Sequence, residues 1–246
     1  MAGTGRKINK IEIEQTQTLV KYYMELFKRY GYSENALGWT KNKQYIRFET
    51  LFRFLDLQDA AVLDVGCGFG DMLIYIKNNL NNCNIQYQGV DIMEEFIEHA
   101  KTICDGIYAE KFYCGNFMTM ECTQWERIVD YIVASGIFGF KIFNTDEEQY
   151  KYIDQFINKS LKCSRKAVVM DFLSDKVDYH SGKTDFHADP AKILDIAYQY
   201  SRNVILDNSV MPFEFCLTIY KEDDFNKKTT IFNTYLKRSQ MVCLKR

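Results

Sequence analysis

Three glycines, Gly66, Gly68 and Gly70, alternate with Cys67 and Phe69 in "VLDVGCGFGD", two residues after Asp64. Glycine at every second position builds neither a strand nor a helix; it serves backbone conformations and close approaches that a side chain forbids. The apolar run before Asp64 reads as a strand, and "DMLIYIKNNL" after the glycines has helical spacing. A glycine turn between a strand and a helix lets a ligand touch main-chain atoms at the carboxyl edge of a sheet. The dinucleotide fingerprint G-x-G-x-x-G needs its third glycine where this chain has Asp71, and a phosphate-cradling loop needs a Lys and a Ser/Thr that are absent here. The nucleotide suited to this turn therefore lacks a pyrophosphate.

A second carboxylate extends the pattern. "IQYQGVDI" ends its apolar run at Asp91, twenty-five residues beyond Gly66, where a carboxylate is placed to accept both hydroxyls of a ribose. Each hydrogen bond to a charged group is worth about 1.5–3 kcal/mol, enough to dominate recognition of a sugar. The competing reading makes Asp91 the cap of the helix that begins near Met93. Both readings put it at the same sheet edge.

Candidates for a general base are few. "DYHSGKTDFHADP" carries His180 and His187, two of only three histidines, and a His near its ordinary pKa can take a proton from a hydroxyl or ammonium. The alternative is a solvated loop whose Asp189-Pro190 pair starts a helix. Glu214, two residues after Pro212, is a third candidate. No compact carboxylate or Cys/His cluster suggests a metal. The eight cysteines (67, 83, 104, 114, 122, 163, 216 and 243) form no C-x-x-C pair and read as free, mostly buried thiols, without disulfides.

From about residue 60, β-like runs alternate with helical ones. "AVLDVG", "IQYQGVDI", "KFYCGN", "YIVASG", "KAVVMDFL", "NVILDN" and "FEFCLTIY" are the strands. The alternation predicts βαβ units and an α/β, doubly wound, seven-stranded, mostly parallel sheet. The gap between the last two strands is too short for a crossover helix, so the last strand should run antiparallel. Ahead of the sheet, Tyr22, Tyr23, Leu26, Phe27 and Tyr30 recur at helical spacing, and "NKQYIRFETLFRFL" gives a second amphipathic helix. Residues 1–56 are expected to form a helical lid or cap, and residues 57–246 the ligand-binding domain; the aromatic stripe could equally be plain core.

With these residues in view, "VLDVGCGFGD", "GVDIMEEFIEHA", "GNF" and "YIVASGIF" resemble, in order, the four cofactor segments of class I S-adenosylmethionine-dependent methyltransferases. "ALGWTKNKQYIRFETL" is similar to the lead-in of bacterial small-molecule and sugar-modifying members. The resemblance implies a Rossmann-like fold, S-adenosylmethionine as cofactor and S-adenosylhomocysteine as its product. It implies that Gly66, Cys67, Gly68 and Gly70 approach the cofactor, and that Asp64 orients its amino group or the turn. Asp91 would hold the ribose, with Ile92 and Met93 against the adenine. Asn116 and Phe117 stand where family members usually carry an acidic residue facing the adenine amino group, and the Asn carbonyl can accept the same bond. Ser135 would lie near the sulfonium, and Arg47 could pair with the cofactor carboxylate, although an ordinary ion pair is the alternative.

The same comparison narrows the acceptor. "ASGIF" replaces the proline-rich turn of adenine and glutamine amino-methyltransferases, and neither proline precedes a cysteine as in cytosine-ring enzymes. A net charge of −2 adds no basic excess for nucleic acid. The expectation is a small-molecule acceptor methylated on oxygen or nitrogen, with no DNA partner. RNA or protein methylation and a non-catalytic, cofactor-binding scaffold are the other readings. The first residues lack a secretory-signal pattern and no apolar run reaches the ~20 residues of a membrane span, so the expected location is cytoplasmic. Oligomeric state is open, a homodimer being one form.

Overall fold

The computed structural model describes residues 10–38, 44–104, 111–125, 128–178 and 184–221. His180, Cys243 and the tail from 222 lie outside these residues. The strands are β1 (Ala61–Val65), β2 (Gln86–Asp91), β3 (Phe112–Cys114), β4 (Tyr131–Ala134), β5 (Ala167–Ser174), β6 (His187–Ala188), β7 (Val204–Asp207) and β8 (Glu214–Tyr220). The helices are α1 (Lys10–Tyr30), α2 (Gln44–Phe52), α3 (Asp71–Asn79), α4 (Glu94–Ile103), α5 (Asp146–Cys163) and α6 (Pro190–Tyr198).

The seven expected strands form one sheet in the order β3-β2-β1-β4-β5-β8-β7. The first five are parallel, and β8 inserts antiparallel between β5 and β7. The two-residue β6 is an addition, pairing parallel with the end of β5 so that Leu173 faces His187. So short a pairing leaves no two-residue period to read in a sequence.

Alternation along the strands sorts the core into two layers. Val62, Tyr131, Val133 and Val169 face Leu51, Phe52, Met72, Ile76 and Ile97 of α2, α3 and α4. Leu63, Ile132, Val168, Met170 and Leu217 face Phe156 and Ile157 of α5 and Ile193 of α6. Because side chains repeat every two residues along a strand, Asp64, Ser135, Asp171 and Glu214 fall on the α2 side by parity. Phe48, Leu51 and Phe52 make α2 a layer of the main core. α1 packs instead on the glycine turn and α4, through Val20, Tyr23, Met24 and Phe27 against Phe69, Met93 and Phe96.

Local chemistry explains the helix starts near the site. Thr145 and Glu148 form a reciprocal capping box at α5. Asp189 accepts the Ala191 N–H at 2.9 Å with Pro190 as the first residue of α6, the helix-start reading of that Asp-Pro pair. The expectation of free cysteines is corrected: Cys122 and Cys163 form a disulfide across 41 residues. Spacing does not report such a pairing, because it is made only when the segment before β4 docks on the end of α5. Cys67, Cys83, Cys104, Cys114 and Cys216 are free.

Candidate functional site

A cavity lies at the carboxyl edge of β1, β2 and β4. Its walls include Asp64, Gly66, Cys67, Gly68, Asp91, Ile92, Asn116, Phe117 and Ser135 from the sheet edge, and Thr16, Leu19 and Tyr23 from α1. Nine sequence candidates thus share one space. Gly70, Met93, Arg47, His187 and Glu214 are not among its lining residues.

Gly66 and Gly68 take left-handed backbone conformations, φ 82° and 53°, which disfavour any side chain. A Cβ on Gly66 would meet Ile137 Cγ2 at 2.2 Å, and one on Gly68 would meet Leu37 Cδ2 at 3.0 Å. The bare backbone is therefore approached by two side chains of the same cavity wall. Gly70 serves the fold: it precedes α3 and packs toward Phe112, Cys104 and Ala100.

Asp91 ties two backbone segments together. Its Oδ2 accepts the Gly68 N–H and its Oδ1 accepts the Met93 N–H, each at 2.9 Å, so it ties the glycine turn to the start of α4. Burial raises its pKa, opposed by the N–H groups of Met93, Gly68 and Ile92. A carboxylate has four lone-pair sites, so two backbone bonds leave it able to accept the hydroxyls of a ribose. Met93 is buried and contributes its N–H to Asp91.

Asp64, 2% exposed, accepts the Tyr87 hydroxyl at 2.7 Å on Oδ2. Burial pushes its carboxyl up to about 7, with the Tyr87 bond pulling the other way. Burial also pushes the Cys67 thiol up, which makes it a packing group and no nucleophile.

Asn116 Oδ1 accepts the Met118 N–H at 2.8 Å, and its amide donates to Thr16 Oγ1 at 3.0 Å. That second bond reaches from the end of β3 to α1. Phe117 packs against Phe156, 5.4 Å between ring centroids, and against Trp125 at 5.8 Å. Ser135 donates to Asp171 Oδ2 at 2.7 Å, and the neighbouring Gly136 N–H donates to Asp171 Oδ1 at 2.6 Å.

Arg47 is placed elsewhere. Its guanidinium makes a bidentate ion pair with Glu214, the two side chains 12% and 6% exposed, and both line a small second cavity with Asp171. The ion-pair alternative for Arg47 is thus the observed one, with its partner 167 residues away. The pairing also engages the Glu214 carboxylate. His187 Nδ1 contacts the Ser174 carbonyl oxygen at 2.8 Å beside β6. No group of His, Cys, Asp and Glu among the described residues is arranged to hold a metal ion.

Ile142, Phe143 and Tyr152 were not singled out in the sequence, and Leu37, Gln44, Phe48 and Ile137 lie within segments that were, without themselves being marked as site residues. Only Tyr23 and its neighbours on α1 announced themselves, through their aromatic spacing.

The parallel sheet with one antiparallel insertion, the triple-glycine turn after β1 and the acidic residue ending β2 are the arrangement expected from the resemblance to class I S-adenosylmethionine-dependent methyltransferases. Residues 56–173 match the family model described as a methyltransferase domain. A Mycobacterium tuberculosis protein, "Putative methyltransferase Rv1506c", is 26% identical over 163 residues, 65% of this chain and 93% of that one. In fold the chain is similar to magnesium protoporphyrin IX methyltransferase of Synechocystis PCC 6803 solved with S-adenosylhomocysteine, with a TM-score of 0.58 and 13% identity, over 84% of this chain and 99% of that one. It is also similar to an S-adenosylmethionine-dependent methyltransferase of Archaeoglobus fulgidus, with a TM-score of 0.53 and 15% identity, over 81% and 100% of the two chains. S-adenosylmethionine is the cofactor of this class, and the donor set around the glycine turn fits it. No described helix is long and apolar enough to cross a membrane.

Proposed function

We propose that the protein transfers the methyl group of S-adenosylmethionine to an oxygen or nitrogen of a small molecule, such as a sugar or a natural-product intermediate. The observation that carries this reading is the pairing of Asp91 with Gly68 at one end of a cavity whose other lining residues are mainly apolar or uncharged. In this reading Asp91 holds the ribose, Ile92 and Phe117 flank the adenine and Asn116 meets its amino group. Asp64 and Ser135 face the amino-acid end, and Gly66 to Gly68 leave room for the chain between. α1 acts as a lid, tied down by the Thr16 to Asn116 bond.

The cofactor supplies an activated methyl. The protein's share is alignment, which contributes up to ~7–11 kcal/mol in well-oriented reactions and exceeds what a base adds. Neither His187 nor Glu214 lines the described cavity, so alignment is the main device of this reading. The test is transfer from methyl-labelled cofactor into a metabolite extract, set against RNA and protein extracts. Label in metabolites supports the proposal. Label only in macromolecules overturns the acceptor class, and no transfer despite cofactor binding favours the scaffold reading.

A further inference from the structure

Asp171 was not among the sequence candidates, yet both of its carboxylate oxygens are engaged by the turn that follows β4, one by the Ser135 hydroxyl and one by the Gly136 N–H. It is 7% exposed and lies on the α2 face of β5. Burial raises the Asp171 pKa; Arg47 on α2 opposes that rise, while Glu214 on β8, paired with the same guanidinium, adds to it.

A serine hydroxyl has one hydrogen to give, and here it points to Asp171 Oδ2 while Gly136 N–H occupies the other oxygen. The Ser135 hydrogen is therefore spent on Asp171, and Ser135 offers the cavity only lone pairs. Asp64 lines the same cavity from the neighbouring strand, where it pairs in register with Val133, one pleat before Ser135. Among the described lining residues there is no Lys, Arg or His. Two oxygen acceptors on one face of adjacent strands suit a group rich in N–H.

We propose that Asp171 is a positioning residue that fixes Ser135 as a hydrogen-bond acceptor for the α-ammonium of the cofactor's amino-acid end. This rests on the cofactor reading above and extends it to a residue that does not itself line the cavity. Asp171→Asn tests the direction of the bond. Its amide oxygen still accepts Gly136 N–H, but its NH2 donates to Ser135 and turns the hydroxyl hydrogen toward the ligand.

The experiment is calorimetric titration of the full chain with S-adenosylhomocysteine and with 5′-methylthioadenosine, which keeps the adenosine and thioether but lacks the amino-acid end. Wild type, Ser135→Ala, Asp171→Asn and the double variant are compared. Losing a bond to the ammonium weakens S-adenosylhomocysteine about 10-fold or more in each single variant. Methylthioadenosine affinity should stay unchanged, and the double variant should be no worse than the poorer single one, because the two act through one contact. Unchanged S-adenosylhomocysteine affinity, equal losses for both ligands, or additive losses would each overturn the proposal. Should Asp171→Asn fail to fold, Ser135→Ala with the same two ligands decides. Wild type that binds neither ligand would bring down the cofactor reading itself, and this inference with it.

Discussion

Asp91 accepts the backbone N–H of Gly68 at 2.9 Å, so the acidic residue ending β2 directly holds the glycine turn that follows β1. Its other oxygen holds Met93 at the start of α4. One buried side chain thus joins two backbone segments and, in the proposed reading, also holds the ribose, so its replacement should cost both.

Asp91→Ala should weaken S-adenosylhomocysteine binding about 10-fold or more through loss of charged hydrogen bonds. It should also lower stability by about 1–3 kcal/mol, because the Gly68 and Met93 N–H groups lose their acceptor. Calorimetry and denaturant unfolding read the two effects separately. Unchanged cofactor affinity would remove Asp91 from the ribose.

Asp64 predicts a pH dependence. Its carboxyl is raised to about 7 in the folded chain, against about 3.9 when unfolded. Between these values the folded state holds a proton that the unfolded state has released, so stability falls as pH rises through that window and levels off above it. Asp64→Asn should flatten the slope between pH 5 and about 7 in a series of thermal melts. The sequence showed this Asp but not its burial against Tyr87, which lies on another strand.

The Arg47–Glu214 pair is nearly buried. Removing one partner leaves an uncompensated charge, so Glu214→Ala should destabilise by about 3–5 kcal/mol, while Arg47→Met with Glu214→Leu should recover most of the loss. Urea unfolding of the single and double variants checks this. A Glu214→Ala protein of normal stability would contradict the pair's structural weight.

The bond from Asn116 to Thr16 ties α1 to the end of β3. Thr16→Val keeps the shape and deletes the hydroxyl. The expected result is faster cofactor release in stopped-flow fluorescence at nearly unchanged melting temperature, since one partly exposed bond is worth only about 0.5–1.5 kcal/mol. Unchanged release would detach α1 from the lid role.

The Cys122–Cys163 bridge predicts a thiol count. Titration of the denatured, unreduced chain should find at least two fewer thiols than the eight cysteines in the sequence. All eight reacting without reductant would show that the bridge is absent.

What the sequence determined by itself is what local spacing encodes. The alternation of strands and helices, the glycine turn at 66 to 70, the carboxylate ending β2 and the antiparallel last strand follow from short-range periodicity, backbone sterics and connection length. Only the tertiary structure decided partnerships made across the fold. Arg47 meets Glu214 over 167 residues, Asn116 meets Thr16 over 100, and Asp171 meets Ser135 over 36. Each of these depends on which strand and helix faces are brought together, and a side chain's type does not say whom it will face. Leu37 and Ile137 make the same point: each lies in a segment the sequence marks, but only packing sets its side chain against Gly68 or Gly66.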